Sequence, residues 1–583
     1  MLKRILIGVI FLLLVLPSQA QTDGQGVVIL ALSSTPENAG SLNPLLCSQS
    51  TCQIFTDLLF PTLRAVDHDT GTFTTANADN FGLTENIELV DDHIAVFTLR
   101  DDLTWTDGTS VTAYDVFYSY LVAVNRRFTT PYRFLQNTLR GAIPIDERRI
   151  AFIYRDANCG TLDRTNFPII PSHLFEPNIV EVANYFDTDG DLRAQWETWI
   201  EDEIYDDRNY TVVRDNAFNV NPAISAGHFT FSEFRPLESI RVASQDGERA
   251  IMATVLPPQM SAIDTFLEGG LSVLVNPAYD RRDELIARDE FQIATYPSRL
   301  WTYISFNTAD KRNPQDAFDE DGERLEQGQH PIFADVRVRQ AIQRAIDIPA
   351  LIETSVNGYG TPLVADQLPT SWGFNSDLSP LSQNVQEAER LLYDAGWRDI
   401  NNDGIRECIN CLYANTGYRM TFELMVFEGQ MYDVMATLIS RQLRQIGIEV
   451  SVTSQSISSV LGNARDQRYD AYLGGWSQPY PINPDHINLF SSINDVVEIG
   501  RNAGSYYNET IDTLLEEARN VPDCDIEQRA ELYREIQAIL QTDQPYVWLF
   551  APDDMIVAQA GIMGFDPRPH MPFWNIHEWV LRE

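Results

Sequence analysis

The stretch FTLRDDLTWTDGTSVTAYDVFYSY, residues 97–120, decides how the chain is read, because strand, turn and helix signals follow one another in it without interruption. Phe97 and Leu99 alternate with polar neighbours, as a half-buried strand does. Asp101-Asp102 turns the chain, and Thr106-Asp107-Gly108 supplies a flexible corner before Val111. Thr112 brings the hydroxyl of an N-cap, and Asp115, three residues on, is placed to reach back to the Thr112 amide. Val116, Tyr120 and Val124 follow at four-residue spacing and share one helix face. These local signals predict a strand–turn–helix unit and leave its purpose open.

Outward from this unit, other short runs fall in order. They are Ser41-Leu42-Asn43-Pro44, Ile170-Pro171-Ser172-His173-Leu174, Phe306-Asn307, FADVRVRQAIQRAID (333–347), AERLLYDAGW (388–397) and IGIEV (446–450). Tyr469-Asp470 then leads to Gly475-Trp476, and helical patterns at 507–519 and 529–540 precede Asp543-Gln544-Pro545. Together with Leu99-Arg100, the Trp105-Thr106-Asp107-Gly108 turn and the Thr112-Ala113-Tyr114-Asp115-Val116 helix start, this collinear set resembles one family. It is the peptide and nickel branch of the extracytoplasmic solute-binding proteins that serve ATP-binding-cassette importers.

The resemblance implies an α/β fold of two lobes, the Venus-flytrap arrangement of class II periplasmic binding proteins, with an extra β-rich subdomain inserted in lobe 1. Ligand is engulfed where the lobes close. On that plan residues 1–20 are a signal peptide, 21–58, 211–299 and 547–583 build lobe 1, 59–210 form the insertion and 300–546 form lobe 2. The local signals agree: a buried strand at 27–32, a hairpin turn at Asp67-His68-Asp69-Thr70-Gly71, and a returning strand at Val273-Leu274-Val275. Trp301 to Phe306 alternates as a strand opening lobe 2, and Pro545-Tyr546-Val547-Trp548 should cross back. Two or three crossing strands make a hinge, so closure is expected as a rigid-body motion.

At the N-terminus, Lys3 and Arg4 precede an apolar run from Ile5 to Leu16. Pro17 and Ser18-Gln19-Ala20 complete the pattern of a cleavable export signal. The run is too short to span a bilayer comfortably, and no comparable run follows. No Cys follows the expected cleavage site, so release as a lipid-free periplasmic or extracellular protein is expected. Cleavage would take the formal charge from −41 to −43 and leave Lys311 as the only lysine. Such a field repels phosphate backbones and anionic membranes, which excludes nucleic acid as a partner class and reads as a solvated surface. About 560 residues exceed what one hydrophobic core organises, so two or three lobes are expected. A monomer without cofactors is the expected form.

Six cysteines in an exported chain read as disulfides. Cys47 and Cys52 enclose a short loop, Cys408 and Cys411 form C-x-x-C, and Cys159 and Cys524 remain. Asp399-Ile400-Asn401-Asn402-Asp403-Gly404 copies the opening of a calcium loop, with Asp399, Asn401 and Asp403 as its oxygen donors. Asn410 stands where that loop needs a bidentate Glu.

Binding candidates cluster at Gly474-Gly475-Trp476-Ser477-Gln478-Pro479-Tyr480. In peptide-binding relatives an Asp three residues after this Trp grips the peptide's α-ammonium; here that position is Pro479, without charge or amide hydrogen. Asp485 can substitute only if its loop folds inward. Trp476 and Tyr480 offer flat apolar faces, and Ser477 and Gln478 offer uncharged hydrogen bonding, a mixture that also suits sugars or capped peptides. Ser48, Gln49 and Ser50 occupy the position of a cleft loop from lobe 1, and Trp372 lies in a proline-bounded loop of lobe 2.

No G-x-S-x-G elbow and no G-x-x-x-x-G-K-[ST] loop occurs, and His577-Glu578 lacks the second histidine of a zinc protease. The sequence therefore reads as the binding component of an importer, delivering a peptide or peptide-like solute to a membrane permease. Competing readings are an uncharged solute such as an oligosaccharide, a sensor partner in place of the permease, and an exported hydrolase.

Overall fold

The structure is a computed structural model and describes residues 26–32, 41–47, 50–74, 82–200, 203–235, 238–256, 260–478 and 481–581. The expected signal peptide lies outside the described residues.

Within 97–120, the strand Ile94–Leu99 buries Ala95, Phe97 and Leu99 while the intervening side chains stay half-exposed. The helix Ala113–Ala123 is covered on nearly all sides, which is why Phe117, Leu121 and Val122 accompany the stripe read from the sequence. Its start is held by Asp115, whose Oδ2 accepts from the Thr112 amide at 2.9 Å. The Thr112 hydroxyl also donates to that oxygen, at 3.3 Å. The same carboxylate accepts from Trp105 Nε1 at 3.4 Å and from the Ser172 amide and hydroxyl at 2.8 and 2.7 Å. His173 meets Asp107 at 2.8 Å. Segments 105–116 and 170–174, far apart in sequence, are thus two halves of one buried polar knot.

The insertion carries a four-stranded antiparallel sheet in the order Thr84–Asp91, Ile94–Leu99, Arg149–Tyr154, Leu139–Pro144. Lobe 1 is built on an eight-stranded sheet. Its main path runs Phe291–Pro297, Phe550–Gln559, Val273–Val275, Gly26–Leu32, Arg249–Val255, Ser239–Ser244, Phe229–Arg235, with Gly360–Pro362 paired to Phe550–Gln559. Lobe 2 is built on five strands, Glu449–Gln455, Thr421–Phe427, Ala471–Ser477, Leu300–Phe306, Tyr546–Trp548. The insertion and lobe 1 share one continuous core that includes Val28, Phe97, Phe152, Val242 and Ile556, whereas lobe 2 has cores of its own. Insertion and lobe 1 are therefore packed as one body.

Two crossings join the lobes, together with the strand Gly360–Pro362, which leaves the lobe 2 helix Ile348–Val356 to pair with Phe550–Pro552. Phe291–Pro297 ends in the lobe 1 sheet and Leu300–Phe306 begins in the lobe 2 sheet; Tyr546–Trp548 lies in lobe 2 and Phe550–Gln559 in lobe 1, so the chain returns at Leu549. The crossings are stitched together. The Thr302 hydroxyl donates to the Phe550 carbonyl at 2.7 Å and accepts from its amide at 3.3 Å. The Leu549 amide donates to the Thr302 carbonyl and the Ser298 amide to that of Pro552. Nearby, Arg339 donates to the carbonyls of Phe333, Asp543 and Gln544, which binds the helix Val336–Ala345 to the segment entering the second crossing.

Two disulfides are fully described. Cys408–Cys411 closes its short loop, and Cys159–Cys524 joins the insertion to lobe 2, with a Cα–Cα distance of 5.4 Å across 365 residues of sequence. Cys47 is disulfide-bonded as well; the side chain of its expected partner, Cys52, lies outside the described residues.

Candidate functional site

The strand Ala471–Ser477 runs antiparallel to Leu300–Phe306 with Trp476 opposite Trp301 and Ser477 opposite Leu300. Leu300 is the first lobe 2 residue after the crossing, so this pairing carries the end of the neighbouring strand to the lobe boundary. The Gln478 amide then donates to the carbonyl of Arg299, inside the crossing itself, at 2.9 Å. Local sheet geometry alone brings Trp476, Ser477 and Gln478 to the lobe boundary.

Trp476 is half-exposed and Ser477 exposed, while Gln478 is buried. The Arg501 guanidinium lies 5.4 Å from the centroid of the Trp476 ring. Behind Gln478 runs a buried polar chain: Gln478 Oε1 faces His486 Nε2 at 3.2 Å, and His486 Nδ1 faces Asp366 Oδ2 at 2.7 Å. Gln367 donates to Asp366 and to the Pro484 carbonyl, and accepts from the Ser371 hydroxyl. Trp476 Nε1, Gln478 Nε2 and Asp366 Oδ1 are buried and find no hydrogen-bond partner among the described residues. An unmet buried polar group costs about 1–3 kcal/mol, so these three are a local cost at the strand end and in its support. Asp366, Gln367 and His486 escaped the sequence reading. The only signals pointing to them were the proline-bounded loop that holds Trp372 and the Asn483-Pro484-Asp485 turn.

Asp485 is folded inward and its side chain is fully buried, but it does not face open space. Its Oδ1 accepts from the Ile487 amide, and its Oδ2 lies 3.5 Å from Arg519 Nε and 3.6 Å from Arg164 Nη2. Two guanidinium groups, one from each lobe, neutralise the carboxylate that the sequence offered as an amine anchor. Trp372 is half-buried at the same lobe contact: it meets Tyr533 edge-on at 5.6 Å, and the Arg529 guanidinium lies 5.1 Å from its ring centroid. Arg529 in turn pairs with Asp163 of the insertion at 2.7 Å.

From lobe 1, the helix Ser50–Leu59 contributes Asp57, which water reaches although protein surrounds it. Desolvation pushes its carboxyl up to about 7, against the opposing charge of Arg299 in the crossing. Burial and Asp57 together raise the Tyr132 hydroxyl, so helix, insertion and crossing meet here. Ser48, Gln49 and Tyr480, like Pro479, lie outside the described residues, as does the side chain of Ser50.

The calcium-like loop uses its oxygens internally. Asp399 accepts from the Gly404 amide, Asn401 from that of Asp403, and Asp403 pairs with Arg419 at 2.7 Å. Among the described residues no group of three or more His, Cys, Asp or Glu side chains is arranged to hold a metal.

The profile of the "Bacterial extracellular solute-binding proteins, family 5 Middle" matches residues 82–496. The chain belongs to this family. The oligopeptide-binding protein AppA of Bacillus subtilis is 23% identical over 516 residues, covering 86% of this chain and 83% of that protein. The nickel-binding periplasmic protein of Escherichia coli is 28% identical over 249 residues, 42% of this chain and 45% of that protein. The solved structure of AppA from Bacillus subtilis in complex with a nonapeptide superposes with a TM-score of 0.63 at 20% identity, covering 96% of this chain and 99% of that one. This solute-binding protein thus has the family's two-lobed α/β fold, and no helix of its described residues is long and apolar enough to cross a membrane.

Proposed function

We propose that this solute-binding protein captures a peptide or peptide-like solute between its lobes and delivers it to the permease of an ATP-binding-cassette importer. The observation that carries the reading is the strand end at Trp476–Gln478, brought to the lobe crossing with a half-exposed aromatic face at Trp476 and an exposed hydroxyl at Ser477. Similarity to an oligopeptide-binding protein over most of both chains supports the solute class. The electrostatics refine it. Asp485 is offset by Arg519 and Arg164, and Pro479 replaces the amine-gripping Asp of peptide-binding relatives. Recognition then rests on stacking and neutral hydrogen bonds, which favours ligands whose amino end is acylated or reaches water. The same observation keeps an uncharged oligosaccharide as the second reading. A thermal-shift panel of free peptides, N-acetylated peptides and oligosaccharides tests this, because a ligand that binds only the folded state raises Tm by mass action. Acetylated peptides should stabilise at least as well as free ones. Stabilisation by sugars alone would replace the peptide reading, and a panel silent both on the oxidised protein and after treatment with a dithiol would remove it.

A further inference from the structure

We propose that the Cys159–Cys524 disulfide is an interlobe latch: oxidised, it holds the lobes closed over the cleft, and reduced, it lets the hinge open. The inference rests on reading the space between the lobes as the solute site. It begins with the chain path. Lobes 1 and 2 are connected through a ribbon of two mutually hydrogen-bonded crossings, at 297–300 and at Leu549, with Gly360–Pro362 paired alongside. Rotation about such a ribbon is how two-lobed binding proteins open. Cys159 opens the short helix Cys159–Leu162 of the insertion, which shares its core with lobe 1, and Cys524 ends the turn Pro522–Cys524 of lobe 2. The bond therefore ties the two moving bodies directly, outside the ribbon, and rotation that parts residue 159 from residue 524 is blocked while it stands.

The surroundings fit a closed seam. Gly160 lies so near lobe 2 that a Cβ there would sit 2.6 Å from Asp485 Oδ2 and 2.8 Å from Arg519 Nε. Arg529 of lobe 2 pairs with Asp163, and Arg164 of the insertion faces Asp485. These ion pairs are reversible; the disulfide is the covalent part of the seam. Lobe 2 presents its sulfur on an unusual backbone, with Asp523 and Cys524 both in the left-handed region at φ 55° and 52°. Two consecutive non-glycine residues there are a local cost that surrounding structure must hold in place, a pattern associated with working parts of proteins.

Cys524 is half-exposed and Cys159 buried, so an incoming thiolate meets the Cys524 sulfur. Attack by one thiolate of a dithiol reductant forms a mixed disulfide and expels Cys159 as thiolate. The reductant's second thiolate then releases Cys524. The reductant ends as its own disulfide, the S–S bond gains two electrons, and two protons from solvent complete the thiols. An exported dithiol oxidoreductase or a small dithiol supplies that chemistry.

The test needs no ligand, so its failure is distinct from failure of the proposed solute class. Small-angle X-ray scattering and amide hydrogen exchange are recorded on the oxidised full chain, on the same chain treated with a dithiol, and on the Cys159→Ser/Cys524→Ser variant. Reduced and variant proteins should show a larger radius of gyration and at least tenfold faster exchange at residues 476–478 and 485–487, with far-ultraviolet circular dichroism unchanged. Equal radius and exchange in all three would overturn the latch. Loss of folded structure in both the reduced and variant arms would overturn it too, since the bond would then be a staple of the fold.

Discussion

At the residue scale, Asp115 shows why a short run can label a family through packing and capping alone. One buried carboxylate serves the Thr112 amide, the Trp105 indole and both donors of Ser172. Desolvation raises its pKa, with those hydrogen bonds working the other way. Each buried donor left unmet costs about 1–3 kcal/mol, so Asp115→Ala should lose about 3 kcal/mol or more of unfolding free energy in urea titration. A loss under about 1 kcal/mol would contradict the knot. Gln478 is held less completely. Its side-chain Nε2 alone is unmet among the described residues; its Oε1 faces the buried His486 Nε2 at 3.2 Å, so Gln478→Ala should cost about 1–3 kcal/mol of unfolding free energy in urea titration. It should weaken binding of the best ligand from the thermal-shift panel about tenfold by calorimetry, the worth of one good hydrogen bond.

Among the elements, the crossing ribbon and the Arg339 clamp carry the mechanics. Thr302→Val removes the hydroxyl that serves both the carbonyl and the amide of Phe550 and should cost about 1–3 kcal/mol, with faster hydrogen exchange at 548–552. Arg339→Met leaves four carbonyls, those of Phe333, Ala334, Asp543 and Gln544, without their guanidinium and should destabilise lobe 2 more than Arg337→Met, because Arg337 sits at the rim against Asp335. Much of this level was legible in advance. Alternation gave Ile94–Leu99 and Leu300–Phe306, and the Thr112–Asp115 spacing gave a helix start. Trp476 and Gln478 were legible because they sit on a strand end whose position follows from pairing. Asp366, Gln367 and His486 were not, since they converge from segments about 120 residues apart and no local pattern links such residues. Asp485 misled for the same reason: inward folding can be guessed from a loop, but the two arginines waiting there come from helices and turns elsewhere.

Over the whole molecule, charge and pH act together. Asp495 is buried and desolvation pushes its pKa up to about 6, despite hydrogen bonds from Gln327, Ser505 and Gln467. The folded state then holds a proton that the unfolded chain, titrating near 3.8, gives up; this contribution is full below about pH 4 and is lost as pH rises to about 6. Asp470 runs the other way. Burial opposes its ionisation, but His330, the Glu423 amide and Lys311 hold it down at about 2, so its contribution is full above about pH 4 and is lost as pH falls toward 2. Melting temperature should therefore rise on acidification from pH 7 to about 4 and drop below that, and Asp495→Asn should reduce the slope of the upper limb below about pH 6, leaving the part that Asp57 contributes nearer pH 7. An unchanged upper limb in that variant would refute the assignment.

Lys311 pairs with Asp470 at 2.7 Å and is the only lysine after residue 20. A protease specific for lysine would cut the unfolded chain beyond residue 20 at that one place, leaving Cys159 on one fragment and Cys524 on the other. The two pieces should migrate as a single band on a non-reducing gel and as two once reductant is added, so the connection between the lobes can be read from electrophoresis alone.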